Sequence, residues 1–95
     1  MECKALIFSG HALCRMFERS VSPIEVRAAI DTGEIIEDYP DDTPYPSFLV
    51  LGHANGKPLH IVIGYNDLAK ECYVITVYRP DPGQWENGFK VRITP

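Results

Sequence analysis

His11, Arg15 and Arg19 recur at every fourth residue of the segment Ser9-Gly-His-Ala-Leu-Cys-Arg-Met-Phe-Glu-Arg19. At 100° per residue they form one stripe of a helix. Leu13, Met16 and Phe17 centre roughly 150° away, so the spacing predicts a basic row facing outward and an apolar row facing a core. A row of imidazole and guanidinium groups suits a phosphate ester, although a solvated helix face that uses arginine for solubility has the same spacing.

His60 is the second candidate. It lies in the apolar run Pro58-Leu-His-Ile-Val-Ile-Gly64, with Val62 and Gly64 on its side of the pleat and Leu59, Ile61 and Ile63 on the other. A hydrogen-bonded core histidine is one reading of it, and a general acid or base working near neutral pH is the other. On the following strand Thr76 and Tyr78 share a face with Val74, and Arg79 stands at the end. If that is also the His60 face, imidazole, hydroxyl, phenol and guanidinium come together. Those are the parts needed for phosphodiester cleavage: a base for the 2′-hydroxyl proton, an acid for the leaving oxygen, and fixed cations for the phosphorane charge. The catalytic candidates are therefore His11, His60 and Tyr78, and the substrate-binding candidates are Arg15, Arg19, Thr76 and Arg79.

Other chemistries find less support. His11-x-x-Cys14 with Cys72 or His53 lacks recognisable zinc spacing, so no metal and no cofactor is expected. No Walker loop, dinucleotide fingerprint or nucleophile elbow occurs. Cys14 reads as a small core filler. Trp85 reads either as a platform for a base or, the commoner use, as an anchor for the C-terminal segment.

The 95 residues suit one domain with one core, residues 1–95. The net charge of −4 argues against a generic nucleic-acid binder, but the acidity is local. Residues 31–46 carry six acidic and no basic side chains, while residues 1–30 carry four basic and three acidic and residues 47–95 carry five basic and four acidic. A basic groove elsewhere is compatible with that division. Three cysteines without a C-x-x-C pair, and no charged and apolar leader, predict reduced thiols. Ala5-Leu-Ile-Phe8 is far shorter than the roughly 18–20 residues of a membrane span, so a soluble cytoplasmic protein is expected.

These residues need elements to hold them. Lys4–Phe8 reads as a first strand, with Ser9 capping a helix over about 10–19. Ser22, Pro23 and Glu25 compose a capping box for a second helix, Val21 staples onto Val26, and Val26, Ala29 and Ile30 form its buried stripe. Gly33 is expected as a left-handed stop. Glu34–Tyr39 reads as an edge strand, and Phe48–Ala54 and Pro58–Gly64 flank the hairpin signal Asn55-Gly56. Cys72–Tyr78 should pair with the second arm. The predicted class is α+β: an N-terminal strand, a helical hairpin, then a three- to four-stranded antiparallel sheet. The stretch 84–95 is either a last strand at Phe89–Ile93 or an arm laid across the sheet.

The pattern Ser9-x-His11-Ala12-x-x-Arg15-Met16-x-x-Arg19, the capped second helix, Gly33-Glu34-Ile-Ile-Glu37, Leu59-His60-Ile-Val62 and Ile75-Thr76-Val-Tyr78-x-Pro80 resembles the bacterial family called domain of unknown function 4258. Trp85 is similar to that family's C-terminal tryptophan. The resemblance spans almost the whole chain. It implies kinship with RelE-like toxins and other small metal-independent ribonucleases, the same helical hairpin on an antiparallel sheet, an RNA substrate, and a cognate antitoxin protein that blocks the groove. Two functions follow as expectations: a small toxin-type ribonuclease using His11 or His60 for proton transfer, or a non-catalytic interaction module whose acidic 31–46 segment docks a basic partner.

Overall fold

The structure, a computed structural model, describes residues 2–93. Strand β1 (Ala5–Phe8) leads into helices α1 (Gly10–Glu18) and α2 (Pro23–Thr32), followed by β2 (Glu34–Tyr39), β3 (Ser47–Ala54), β4 (Lys57–Asn66) and β5 (Glu71–Tyr78). The class is α+β. The strands form one sheet in the order β1-β5-β4-β3-β2, antiparallel except for β1, which runs parallel to β5 from Ala5 opposite Glu71 to Phe8 opposite Val74. The sheet is thus five-stranded and mixed. Both helices cover one face, α1 against β5 and α2 against β3.

That face holds the main core. Leu59, Ile61 and Ile63 of β4 and Val74 and Val77 of β5 meet Ala12, Met16, Val26, Ala29 and Ile30 of the helices. On α1 the buried pair is Ala12 and Met16; Leu13 and Phe17, expected inside, are 47% and 87% exposed. The small Ala12 decides the rotation, because it lets α1 lie close to β5 where a larger side chain would hold it off. Cys14 is exposed as well, not a core filler.

Helix α2 follows its sequence signals. Ser22 Oγ accepts the Glu25 amide at 3.2 Å while Glu25 Oε1 accepts the Ser22 amide at 3.1 Å, and Val21 and Val26 are both buried beside the cap. Gly33 is not left-handed: its φ of −83° and ψ of −179° are extended. Glycine is required there by close approach, since a Cβ would stand 2.5 Å from the Ala29 carbonyl oxygen and 2.7 Å from that of Leu51. Gly52 meets the same Ala29 carbonyl at 2.5 Å, so α2 rests on bare β3 backbone. At the β3–β4 turn Asn55 and Gly56 take φ of 56° and 73°, as a two-residue primed turn demands.

A bulge between β4 and β5 matters most for the site. Val62 pairs with Thr76 and Ile63 with Val74, which leaves Ile75 as an extra residue. Val74 and Val77 therefore both face the helices, whereas Thr76 and Tyr78 point to the opposite face with His60. The expectation that Val74 shares a face with Thr76 and Tyr78 fails because strict alternation is broken at Ile75.

The thiols are not all reduced. Cys3 and Cys72 form a disulfide across the β1–β5 seam, with Cα atoms 5.4 Å apart and a sequence separation of 69. Only the parallel pairing of β1 brings them together. Closing a loop of that length stabilises the fold by about 4 kcal/mol on the chain-entropy account. Among the described residues no helix is long and apolar enough to cross a membrane.

Replacing Ser22 by Ala removes the cap oxygen of α2 and is expected to cost about 1 kcal/mol. The urea midpoint checks this; an unchanged midpoint would show that the cap contributes nothing.

Candidate functional site

Strand β1 stops at Phe8, opposite Val74, four residues before β5 ends. The first turn of α1 completes the uncovered edge. The Ser9 amide donates to the Val74 carbonyl at 3.1 Å, and the Ser9 hydroxyl donates to the Ile75 carbonyl at 3.0 Å while accepting the Ala12 amide at 3.0 Å. One side chain thus caps α1 and fixes it to the sheet edge. His11, two residues on, reaches around that edge, and its Nε2 lies 3.0 Å from Thr76 Oγ1. The imidazole is exposed, and the threonine hydroxyl can donate to it or accept from it.

Arg15 and Arg19 continue the row along α1. Both hold Glu18, Arg15 at 2.8 Å and Arg19 at 3.2 Å. The two cations pull the Glu18 carboxyl below its usual range, Arg15 first through its hydrogen bond. Each guanidinium offers five N–H donors, so one carboxylate oxygen leaves most of them unused. Residues four apart on a helix bring His11 and Arg15 to about 5–6 Å between Cβ atoms.

His60 is held quite differently. It is wholly buried, with Nε2 2.8 Å from the Phe89 carbonyl and Nδ1 3.1 Å from the Tyr78 hydroxyl. A carbonyl only accepts, so Nε2 carries the proton and Nδ1 accepts from the phenol. Burial pushes the His60 pKa down, against the opposing effect of its bond to Phe89, and burial pushes that of Tyr78 up. Both groups are neutral at pH 7. The indole of Trp85 closes over the imidazole edge to face, centroids 4.4 Å apart, and the Arg92 guanidinium lies 4.7 Å from the indole centroid.

The C-terminal segment is therefore an arm rather than a strand. Its only pairing among the described residues is an isolated bridge between Trp85 and Arg92, with turns at Gly88 and Phe89, which have φ of 89° and 61°. Trp85 is the anchor: with Leu49 and Leu51 it is buried outside the core under the helices. Thr94 and Pro95 of the expected stretch lie outside the described residues. Glu37 and Tyr39 of β2 belong to this same face. The Tyr39 phenol donates to Glu37, which pushes its pKa up to about 12. Sequence reading missed Glu37, Tyr39, Phe89 and Arg92 because a bulge in β2 and the folded-back arm bring them in; no spacing rule links 37 to 92.

Two pairs are thus assembled on β5, His11 with Thr76 and His60 with Tyr78. Arg79 joins neither pair: its Nη1 donates to the carbonyls of Ala54, Lys57 and Pro58 at 3.2, 3.1 and 3.0 Å and clips the β3–β4 turn. The ligand set His11, Cys14, Cys72 is not formed, because Cys72 is in the disulfide. Among the described residues no group of three His, Cys, Asp or Glu side chains converges as a metal site.

The model of a family described as a domain of unknown function, DUF4258, covers residues 8–79. No curated protein and no solved structure matches the chain.

Acidification tests the His60 assignment. With the folded pKa below the unfolded value of about 6.5, the neutral ring contributes stability that is complete above that value. It is lost as the pH falls from about 6.5 toward the folded pKa. The urea midpoint should drop between pH 7.5 and 5.5, and His60→Gln should remove most of that difference. An equal drop in the variant would contradict the assignment.

Proposed function

We propose that this chain, a member of the DUF4258 family, is a metal-independent endoribonuclease of toxin type, and that the reaction runs at His11 and Thr76. The observation that carries the reading is the 3.0 Å contact between the exposed His11 ring and the Thr76 hydroxyl. It sits one helical turn from Arg15, on a surface open to a phosphodiester.

In this reading His11 takes the proton of the substrate's 2′-hydroxyl. The 2′-oxygen bonds to phosphorus as the P–O5′ bond breaks, and the departing 5′-oxygen takes a proton from water. The products are a 2′,3′-cyclic phosphate and a 5′-hydroxyl. Thr76 fixes the ring orientation, and the free N–H groups of Arg15 and Arg19 stabilise the charge on the phosphorane oxygens. His60 and Tyr78 serve as the support of this face: both His60 nitrogens already have partners and the ring has no path to substrate.

An interaction module is the second reading, favoured by a separate observation. Leu13, Phe17 and Ile24, on the outward side of the helices, are 47%, 87% and 81% exposed. Such a surface suits a protein partner, which for a RelE-like toxin would be a cognate antitoxin. The acidic 31–46 segment would attract a basic one.

Purified protein incubated with single-stranded RNA in the presence of chelator should leave 2′,3′-cyclic phosphate ends. His11→Ala should slow cleavage by roughly 10²–10⁴, and Arg15→Ala by a few kcal/mol of transition-state stabilisation, about 10²-fold or more. Circular dichroism should show both variants folded. No cleavage of varied RNAs by folded wild-type protein, with or without ribosomes, would hand the lead to the interaction module.

A further inference from the structure

A cavity of about 290 Å³ opens on the sheet face that carries Thr76. Gly64 forms its floor, Tyr73 and Ile75 of β5 one side, and the loop from Asp42 to Tyr45 the other. The Tyr45 and Tyr73 rings stack in parallel, centroids 5.4 Å apart and planes within 7°. Their hydroxyls are fixed from outside: Tyr73 donates to Glu71 at 2.8 Å, and Asn66 Nδ2 donates to Tyr45 at 3.4 Å. No residue of the C-terminal arm lines the cavity.

Its position relates it to the His11–Thr76 pair. Tyr73 pairs with Gly64 and Thr76 pairs with Val62. Two residues along β4 separate these pairs, about 7 Å at the strand rise. Ile75 belongs to both places, since its side chain lines the cavity while its carbonyl receives the Ser9 hydroxyl. The bulge at Ile75 turns that side chain to the same face as Thr76, against the floor at Gly64.

We propose that this cavity takes one base of a single-stranded RNA whose adjoining phosphodiester lies at His11 and Thr76, which makes it the specificity pocket of the activity proposed above and rests on that reading. The chemistry of the walls selects the occupant. A parallel tyrosine pair offers the planar surface on which unstacked bases bind. The volume lies at the lower limit for small-molecule sites, enough for a single base. The Asp42 carboxylate, one oxygen of which already accepts from the Ser47 hydroxyl, repels a phosphate but has its other oxygen to accept from the amino or imino N–H of a base. Gly64 keeps the floor open, and a side chain there would fill it.

The probes are guanosine 3′-monophosphate and uridine 3′-monophosphate, with ribose 5-phosphate as the control lacking a base, titrated into the whole 15N-labelled protein. A nucleotide should shift the amide resonances of Gly64, Tyr73 and Ile75, and ribose 5-phosphate should not. Gly64→Val should weaken nucleotide binding at least tenfold. The fold tolerates a Cβ there, whose nearest neighbour is Ile75 Cδ1 at an ordinary 3.5 Å. Tyr45→Ala, in the exposed loop, should weaken binding in the same way and guards against misfolding of the first variant. Shifts confined to the start of α1, or wild-type affinity in both variants, would overturn the pocket. Cleavage separates the two claims. RNA cut by wild-type protein and by both variants with the same KM and base preference would leave the nuclease and remove the pocket. Base binding lost in both variants, with no cleavage by wild-type protein, would leave the pocket and remove the nuclease.

Discussion

The Ser9 hydroxyl is the point on which the candidate site depends. It has one proton to donate, which goes to the Ile75 carbonyl, and it accepts the Ala12 amide with a lone pair. The first bond satisfies a strand edge that β1 is too short to cover, and the second starts α1. Because one atom makes both bonds, the helix begins at a fixed height and rotation on β5, and His11 reaches Thr76. Alanine at position 9 would free an edge carbonyl and uncap the helix together, and the row of Arg15 and Arg19 would lose its reference to the sheet.

His11 and His60 show how environment separates identical side chains. His60 has partners for both nitrogens, an indole over it and no solvent, so its chemistry is spent on holding the arm to the sheet. His11 is in water and has one partner, which is itself a hydroxyl able to donate or accept. A proton carrier needs access and a change of state without loss of structure. Of these two rings, only His11 has that access. Arg79 and Arg15 divide in the same way: three carbonyls occupy an Nη1 of the former, while the latter has a single carboxylate partner.

Local signals were legible in the sequence and long-range ones were not. The capping box at Ser22 and the Asn55-Gly56 turn involve residues within four positions of each other, and both stand as read. The four-residue spacing of His11, Arg15 and Arg19 was legible, but the rotation of α1 was misread: Ala12, the smallest apolar residue, sets the contact, Leu13 and Phe17 stay outside, and Arg15 and Arg19 are half-buried. The disulfide and the cover over His60 join residues dozens of positions apart, through strand order and a folded-back arm. A bulge moves a side chain to the other face without any mark in composition, as Ile75 does for Val74 and Thr76. Of the candidate site, the residue types and the helix were readable; the choice between His11 and His60 was not, because it depends on burial.

The most direct measurement is a long-range 1H–15N spectrum of the histidine rings, recorded with and without a 2′-deoxy oligonucleotide that can bind but cannot be cleaved through a 2′-hydroxyl. The His11 ring nitrogens should shift on binding, while His60 should keep the pattern of a neutral ring protonated at Nε2 in both spectra. Movement of the His60 resonances with His11 unaffected would contradict it and would return the reacting centre to the face beneath Trp85.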